Sequence, residues 1–399
     1  MLLVSTFFAW GGFFMVIPMI AVHFVDGLGW TAGAIGLVLA ARQLFQQGLT
    51  PFSGVLADRF GAKPLIAIGM VIRALGFLGM GFAGTYGVLM ATAVVSAIGG
   101  ALFESPRSAA VAAMTDEWER SSYFAQTGVV AGLGITVGTQ LGALLLGVDF
   151  RLVSLIGAAC YVLIFVMVLL WLPALRVAEK GGTFRGLSLA FHDRRFLSYT
   201  GFMGGHWFMS AQFSITLPLV ATAISGNASA VAWVYAVNSL TAVVLGYPLP
   251  RFVERRIGAH RALIVGVVAT AIGLALIGLS RDTLTLMLAV LVYSLGIVLA
   301  RPTDQIVAAS LANPLALGSY FGVASLAVAF GGGLGNYAGG LLYDLGGRVG
   351  APALPWLVFA AIGIIAAVGL WRTLVGGRGS EVGGRRSRVP NRGIVSRQS

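Results

Sequence analysis

The sequence predicts an all-α membrane protein in which twelve transmembrane helices form two pseudo-symmetric six-helix bundles. Three observations lead to this fold class: an extreme apolar composition, a series of long apolar runs, and an internal repeat. Hydrophobic residues make up 58% of the 399 residues and charged residues only 10%, whereas an ordinary soluble domain is about a quarter charged. A chain of this composition needs lipid around it, because it has too few charged residues to cover a water-facing surface.

The apolar runs are long enough to cross a hydrocarbon core of about 30 Å. They are uniformly apolar, whereas the strands of membrane barrels are short and alternate in polarity, so helices are expected. The first six predicted spans are 2–25, 30–53, 64–84, 87–114, 121–147 and 152–175. The second six are 196–224, 231–250, 262–280, 283–311, 317–343 and 353–374.

These spans predict four segments of the chain. They are a first six-helix bundle over 1–175, a cytoplasmic central loop over 176–195, a second six-helix bundle over 196–375 and a basic, disordered cytoplasmic tail over 376–399. The first run lacks the basic leading region of a signal peptide, so it is interpreted as a helix. Its start at Met1 suggests a short or missing cytoplasmic lead.

The distribution of positive charge predicts the orientation of the spans. With both termini inside, cytoplasmic segments hold nineteen Lys and Arg residues and the opposite side holds three. This asymmetry follows the positive-inside rule, as expected for a multi-pass protein of a bacterial inner membrane. The net charge of +12 is therefore attributed to topology and not to nucleic-acid binding, and the tail is expected to contact anionic membrane lipids.

An internal repeat with an offset of about 197 residues relates the two halves. Three anchors fall in the corresponding spans of each half. They are Gly61-Ala62-Lys63 with Gly258-Ala259-His260, Glu104-Ser105-Pro106-Arg107 with Arg301-Pro302-Thr303-Asp304, and Gly138 and Gly142 with Gly335 and Gly339. Duplicated six-helix halves around a central site are the architecture that secondary transporters use for alternating access.

The loop after span 2 reads Gly54-Val-Leu-Ala-Asp58-Arg59-Phe-Gly61-Ala-Lys63. This segment resembles the signature Gly-x-Leu-Ala-Asp-Arg-x-Gly-x-Lys of the major facilitator superfamily, and it lies where that family places it. The resemblance implies the major facilitator fold, with Asp58, Arg59 and Lys63 in a cytoplasmic gate that holds the halves together. An ordinary charged turn, in which Gly61 allows a tight bend, is the alternative explanation.

Span 5 resembles the antiporter signature Gly-Pro-x-x-Gly-Gly through Gly138 and Gly142, without the proline. Close helix packing through small residues is the alternative explanation for these glycines. Along nearly its whole length the chain is similar to the drug:proton antiporter branch of the family. It departs from that branch at Ser5-Thr6, where relatives often carry an acid, and in the order of Arg301 and Asp304, where relatives tend to place the acid first.

Ionisable residues deep in the spans are the main candidates for function. The two deep acids are Glu104 and Asp304, and the deep basic residues are Arg42, Arg73, Arg107 and Arg301. An ionisable group in the membrane costs at least about 2.5 to 3.5 kcal/mol, so each should pair, line water or take part in function. Burial disfavours an ionised carboxyl and a nearby arginine favours it. Each acid is therefore interpreted either as half of a structural ion pair at i,i+3 spacing or as a proton-coupling site with arginine partners.

Other polar or aromatic residues are possible cavity residues. They are Gln46, His206, Trp233, Asn238 and Tyr293, with packing or lipid contact as the alternative role for each. The single cysteine, Cys160, excludes an intramolecular disulfide, and the histidines show no metal-ligand spacing. A nucleotide-binding P-loop pattern does not occur in the sequence.

These patterns and the resemblance together predict a monomeric secondary transporter of small molecules. No cofactor or enzymatic activity is expected, and the proton gradient is the expected energy source. The resemblance implies proton-coupled efflux of drug-like compounds. Hydropathy and repeats would look the same in a carrier of a metabolite, sugar or peptide, so these remain alternatives. An integral-membrane enzyme, a channel or a receptor is disfavoured, because the deep acids are split between the halves and a gate signature is present.

Overall fold

The computed structural model describes residues 2–114, 117–173, 184–227, 229–313 and 316–376. Within these ranges the side chains of Gly54, Asp58, Arg59 and Glu104 lie outside the description, so their predicted roles are carried only as expectations. The same holds for residues 176–183 of the predicted central loop and for the predicted tail from residue 377.

The first half contains six long helices, one for each predicted span. They are α1 (Leu2–Ala21), α2 (Ala32–Phe60), α3 (Ala62–Gly81), α4 (Tyr86–Met114), α5 (Glu117–Leu146) and α6 (Phe150–Trp171). A π-helical turn over Val22–Gly27 extends α1. Asp149 caps the N-terminus of α6, because its side chain accepts a hydrogen bond from the Arg151 backbone N–H at 2.8 Å.

Among the described residues, the second half contains ten helical segments, because three of its spans are interrupted and one short helix precedes them. They are α7 (Phe184–His192), α8 (Arg194–Ala211), α9 (Thr216–Ser225), α10 (Ser229–Leu245), α11 (Pro248–Ile257), α12 (Ala259–Leu279), α13 (Thr283–Leu311), α14 (Leu317–Leu326), α15 (Gly332–Arg348) and α16 (Leu354–Trp371). A π-helical turn over Ala327–Gly331 joins α14 to α15, and another over Arg372–Gly376 follows α16.

The all-helical membrane fold predicted from the sequence is confirmed. Within the described residues, nine helical segments are long and apolar enough to cross a membrane, and α10 with α11 is a tenth if the bent pair counts as one span. The two predicted spans outside this count, 30–53 and 317–343, are also helical: the first carries an arginine and several amide residues, and the second is divided by a π-helical turn into two shorter helices. They form α2 and α14–α15, which pack against each other between the two halves.

The structure adds detail to one span of the second half and to the predicted central loop. The span predicted over 231–250 is not one straight helix, because α10 and α11 are bent by 60° around Gly246 and Tyr247. Pro248 at the start of α11 has no N–H to continue the hydrogen-bonding of α10, which accounts for the break. The predicted central loop contains α7, which packs against α14 and α8.

The internal repeat is visible in how the helices pack. In the first half, a Cβ on Gly138 of α5 would overlap the carbonyl oxygen of Gly11 in α1. In the second half, a Cβ on Gly335 of α15 would collide with the carbonyl oxygen of Phe208 in α8. Both members of the second contact lie 197 positions after those of the first, so the sequence repeat is a repeat of helix–helix contacts.

The same relation holds at neighbouring positions and at a turn. Gly142 approaches the carbonyl oxygen of Met15 too closely for a side chain. Gly61 and Gly258, which precede α3 and α12, have φ values of 87° and 80° with the same ψ of 156°. Because L side chains rarely adopt positive φ, glycine is needed at both turns. The expected bend at Gly61 is confirmed, and its symmetry partner has the same conformation.

Replacement of Gly138 by valine is expected to lower the melting temperature of the purified protein in detergent, because α1 and α5 must separate to admit the side chain. Overpacking of this kind costs about 1 to 3 kcal/mol. Gly128→Val in the same helix is the matched control, since a Cβ there meets no heavy atom within 4 Å. Equal melting temperatures for the two variants would contradict the packing role assigned to Gly138.

Candidate functional site

A cavity of about 420 Å³ lies between the two halves, near the middle of the spans. This volume is in the range of small-molecule sites. Helices α1, α2, α3 and α4 line one side, and α8, α13, α15 and the π-helical turn before α15 line the other. The polar and aromatic lining residues are Trp10, Phe13, Arg42, Gln43, Gln46, Gln47, Arg73, Phe103, Arg107, Trp207, Ser210, Ser214, Arg301, Asp304, Gln305 and Asn336.

On the first-half wall of the cavity, two buried arginines lie over one aromatic ring. The guanidinium carbon of Arg42 lies 4.8 Å from the ring centroid of Phe13, and that of Arg73 lies 5.4 Å from the same centroid. Arg42 also donates a hydrogen bond to Oε1 of Gln46 at 2.8 Å. Arg42 and Arg73 are only 7% and 6% exposed, so the pair is largely desolvated. The structure thus brings together two of the predicted charge partners and one predicted cavity residue.

A glycine in α4 makes room for this cluster. A Cβ on Gly100 would lie 2.7 Å from Nη1 of Arg73 and 3.0 Å from Oε1 of Gln46. Glu104 lies one helical turn after Gly100 in α4, and its side chain lies outside the described residues. The role of Glu104 as an ion-pair member or a proton-coupling site with arginine partners therefore stays a prediction.

Arg107 has a partner in α1. Its Nη2 donates a hydrogen bond to the hydroxyl of Thr6, which is fully buried. Its guanidinium carbon also lies 5.6 Å from the ring centroid of Phe103. Thr6 is one of the two positions at which the sequence departs from the antiporter branch, and its hydroxyl is a neutral hydrogen-bond partner for Arg107.

Asp304 lies on the second-half wall and is hydrogen-bonded to a buried tyrosine of α8. The Tyr199 hydroxyl donates to Oδ1 of Asp304 and lies 3.0 Å from the backbone carbonyl oxygen of the same residue. Tyr199 is 1% exposed. Because a phenol can both donate and accept, Tyr199 can hydrogen-bond to the carboxyl group whether that group is ionised or protonated.

Arg301 and Asp304 do not form the ion pair that their i,i+3 spacing suggested, as far as the described residues show. Instead, the guanidinium carbon of Arg301 lies 5.8 Å from the ring centroid of Trp207, and Arg301 is exposed to the cavity. The carboxylate of Asp304 is satisfied by Tyr199. The hydrogen bond from Tyr199 meets the requirement that a buried polar group be paired, so Asp304 does not depend on Arg301 for a partner.

The remaining predicted cavity residues have other environments. Tyr293 and His206 are 2% and 1% exposed and lie behind the cavity wall, between α8 and the helices packed against it. Trp233, in α10, is 60% exposed and is not among the residues that line this cavity. Asn238 is half-buried in α10 and is not among the residues that line this cavity.

Several lining residues were missed by the sequence analysis. The polar ones are Gln43, Gln47, Ser210, Ser214, Gln305 and Asn336, and the aromatic ones are Phe13, Phe103 and Trp207. Polar residues inside an apolar span were an available signal for the first group. Tyr199, the partner of Asp304, carried no such signal, because a tyrosine in a span is ordinary and its contact is 105 residues distant in sequence.

One end of the cavity is closed by a contact between the two halves. Oδ1 of Asp344, in α15, accepts a hydrogen bond from the Ala32 backbone N–H at 3.0 Å, and Oδ2 accepts one from the Gly33 N–H at 2.8 Å. Ala32 is the first residue of α2, so a carboxylate of the second half caps a helix N-terminus of the first half. Its charge also interacts favourably with the helix dipole.

Glycines allow α2 and α15 to touch at this closed end. A Cβ on Gly340 would overlap the carbonyl oxygen of Ala32, and one on Gly36 would overlap that of Asn336. The backbones are therefore in direct contact along one face of each helix. This closed end carries the loop between α1 and α2, on the opposite side of the molecule from Gly61.

The predicted gate loop is described only in part. Lys63 donates a hydrogen bond from Nζ to the carbonyl oxygen of Leu169 at 2.9 Å, near the C-terminus of α6. This contact lies within the first half and satisfies a helix-terminal carbonyl. The side chains of Asp58 and Arg59 lie outside the described residues, so their gate role stays a prediction.

Two helical bundles related by an internal repeat, with a polar cavity between them, define the class of secondary transporters. Comparison with known proteins specifies the family. The chain belongs to the Major Facilitator Superfamily, whose profile matches residues 2–223 and 202–396.

Curated relatives with high similarity carry the name multidrug resistance protein MdtH. The protein of that name from Klebsiella pneumoniae strain 342 is 38% identical over 361 residues, which cover 90% of each chain. Its counterpart from Proteus mirabilis strain HI4320 is 37% identical over 362 residues, again covering 90% of each.

Solved structures agree on the fold. The nucleoside transporter NupG superposes with a TM-score of 0.78 at 16% identity and covers 94% of this chain and 98% of that one. A bacterial homologue of the human lysosomal transporter Spinster, in an inward-facing and unoccupied conformation, gives a TM-score of 0.74 at 15% identity, over 93% and 96% of the two chains. At this identity the likeness shows the fold and not the cargo.

Proposed function

We propose that this protein is a proton-coupled efflux transporter of drug-like small molecules in a bacterial inner membrane. The single observation that carries the proposal is the position of Asp304, an acid in the wall of the cavity between the halves, bonded to a group that can both donate and accept. The relatives named multidrug resistance protein, identical at 38% of positions, support drug-like cargo. Small molecules, protons and lipids are the partners proposed, and the transporter acts as a monomer.

The proposed topology has both termini in the cytoplasm. The loop between α2 and α3 then faces the cytoplasm, and the closed end at Asp344 faces the opposite side of the membrane. In this orientation the two halves meet at the outer end, as expected for a conformation that loads cargo from inside. Release outside requires the contact between Asp344 and the start of α2 to break, which makes it one side of an alternating-access switch.

Asp304 and Glu104 are proposed as the proton-coupling residues, one in each half. Arg42, Arg73, Arg107 and Arg301 are proposed to stabilise the ionised carboxyls at other steps of the transport cycle, because arginine keeps its proton. In the present conformation Asp304, within the described part of the chain, is bonded to Tyr199 and not to Arg301. The gate loop with Gly54, Asp58, Arg59, Gly61 and Lys63 is proposed to stabilise the opposite conformation, closed at the cytoplasmic end. Gly138 and Gly142 support the proposal only through the close packing of α1 and α5.

The direct test is accumulation of fluorescent dyes of different charge in cells with and without the gene. Cells that express the protein are expected to accumulate several-fold less dye, and an uncoupler that collapses the proton gradient should remove the difference. A difference that persists after collapse of the gradient would reject proton coupling. Equal accumulation across a panel of chemically different dyes and toxic compounds would reject drug efflux and favour a carrier of a metabolite, sugar or peptide.

Replacement of Tyr199 by phenylalanine is expected to shift the pH dependence of transport while leaving cargo affinity within about twofold. The reason is that the Tyr199 hydroxyl is hydrogen-bonded to the carboxyl and backbone of Asp304, and loss of one hydrogen bond to a charged group costs about 1.5 to 3 kcal/mol. Transport in proteoliposomes as a function of internal and external pH measures the shift. Tyr161→Phe, which loses a hydrogen bond to the Ala9 carbonyl oxygen instead, is the matched control. Identical pH profiles for both variants would contradict the role of Tyr199.

A further inference from the structure

The cavity wall is rich in positive charge. Of its ionisable lining residues, Arg42, Arg73, Arg107 and Arg301 are basic and Asp304 alone is acidic, among the residues that the structure describes. The only other acid deep in the spans is Glu104. Even if both acids are ionised, the arginines exceed them by two. An excess of positive charge in a membrane interior is unfavourable without a counter-ion, so the cavity is suited to an anion.

The first-half cluster has the geometry of an anion clamp. Arg42 and Arg73 come from different helices, and both guanidinium groups lie on the ring of Phe13, at 4.8 and 5.4 Å from its centroid. Arg73 also lies 5.0 Å from the ring centroid of Tyr161. The Nε of Arg73 is buried and has no hydrogen-bond acceptor among the described residues. Arginine forks of this kind match the two oxygens of a carboxylate.

Aromatic surface accompanies the charge on both walls. Trp10 lines the cavity beside Phe13, with ring centroids 6.4 Å apart, and is 37% exposed. On the opposite wall Trp207 lies under Arg301 at 5.8 Å. A planar aromatic body between the walls therefore meets aromatic side chains and at least one cation on each side. An inorganic anion would leave most of the 420 Å³ and its aromatic lining unused.

We propose that the cavity selects aromatic carboxylates, with the carboxylate held by Arg42 and Arg73 and the ring system stacked between Trp10, Phe13 and Trp207. This inference rests on the proposed transport function and specifies its cargo. An anionic cargo also suits efflux, because a membrane potential that is negative inside favours outward movement of negative charge. Cationic compounds are disfavoured, because the single acid in the described wall is already bonded to Tyr199.

The test is equilibrium binding to the full-length protein in lipid nanodiscs, without a proton gradient. Three probes share one ring system and differ in charge: 2-naphthoate, 2-naphthalenemethanol and 2-naphthylmethylammonium. We expect 2-naphthoate to bind at least about tenfold more tightly than the ammonium probe, with the alcohol between them. Equal or tighter binding of the ammonium probe would overturn the proposal.

Variants of Arg73 test whether the clamp of Arg42 and Arg73 determines the preference for the carboxylate probe. Arg73→Gln is expected to weaken 2-naphthoate binding about tenfold or more and to leave the alcohol nearly unchanged. Arg73→Lys keeps the positive charge but lacks the planar guanidinium group. Its affinity for 2-naphthoate should therefore lie between those of Arg73→Gln and the wild type. Arg151→Gln is the control, because Arg151 lies outside the cavity against Phe82 at 5.6 Å. Size-exclusion profiles verify folding, and an Arg73→Gln variant that is folded but binds 2-naphthoate normally would reject the clamp.

The outcome separates this inference from the proposed function. Proton-dependent dye efflux together with preference for the ammonium probe would support the proposed transport function and refute the proposed cargo class. Arginine-dependent binding of 2-naphthoate without any proton-dependent transport would support the cargo class and refute the coupling.

Discussion

Replacement of Asp304 by asparagine is expected to abolish uphill transport while leaving downhill exchange of cargo measurable. Asparagine keeps the size of the side chain and its ability to accept the Tyr199 hydrogen bond, but it cannot bind and release a proton. Without this step, cargo movement is no longer linked to the proton gradient. The measurement is cargo accumulation in proteoliposomes under an imposed pH gradient, compared with counterflow in its absence.

Glu104→Gln provides the corresponding change in the first half, and the double variant is the decisive case. If each acid carries protons, uphill transport in each single variant falls at least about tenfold and the double variant shows none. Asp282→Asn is the control, because Asp282 caps α13 outside the membrane through a hydrogen bond from the Thr285 N–H at 2.9 Å. Unchanged proton-driven efflux in the double variant would leave both acids with a structural role only.

Replacement of Gly340 by valine is expected to trap the transporter in a conformation that is open at the Asp344 end, which is closed in this structure. The added side chain would overlap the carbonyl oxygen of Ala32, and the backbone at the start of α2 cannot move aside while Asp344 holds it. Overpacking costs about 1 to 3 kcal/mol, and each 1.4 kcal/mol changes an equilibrium tenfold. The population closed at this end should therefore fall about tenfold or more, and cargo transport should fall with it.

Spin labels at Leu28 and Val349 measure this change. Both side chains are exposed, at 52% and 58%, and they flank the closed end from different halves. The label-to-label distance should be short in the parent protein and longer in Gly340→Val. Gly347→Val is the matched control, because a Cβ at Gly347 meets no heavy atom within 4 Å. An unchanged distance distribution in Gly340→Val would show that close backbone contact does not determine closure.

Loss of the cap at the same end should have a related but smaller effect. Asp344→Ala removes two hydrogen bonds to the start of α2 and a favourable charge at a helix N-terminus. Hydrogen bonds to a charged group contribute about 1.5 to 3 kcal/mol. The same spin-label pair should report a partial shift toward the longer distance, and Asp344→Asn, which retains an acceptor, should lie between alanine and the parent protein.

Much of the fold could be predicted from the sequence because its determinants are local or periodic. Each span was recognisable from its own hydropathy, and the repeat anchors from their constant offset. Spans interrupted by short breaks were predicted less well. The bend after Leu245 depends on Pro248, whereas the π-helical turn at Ala327–Gly331 has no equally clear local sequence signal.

The charged residues of the candidate site could be predicted from the sequence, but their interaction partners could not. Arg42, Arg73 and Asp304 were identified because ionisable groups are costly in an apolar span. Their neighbours depend on how the helices are arranged. The rule of i,i+3 spacing suggested Arg301 as the partner of Asp304, but the hydrogen-bond partner is the hydroxyl of Tyr199, which comes from another helix.

By itself, the sequence determined that this protein spans a membrane as two related halves of glycine-packed helices, because burial in lipid and close helix contact are properties of individual segments. Only the tertiary structure decided which groups meet across segments. Asp344 caps α2 from 312 residues away, and Arg42 and Arg73 converge on one ring from separate helices. Such contacts depend on the relative position of the two halves, and a transporter of this class must change that position to function.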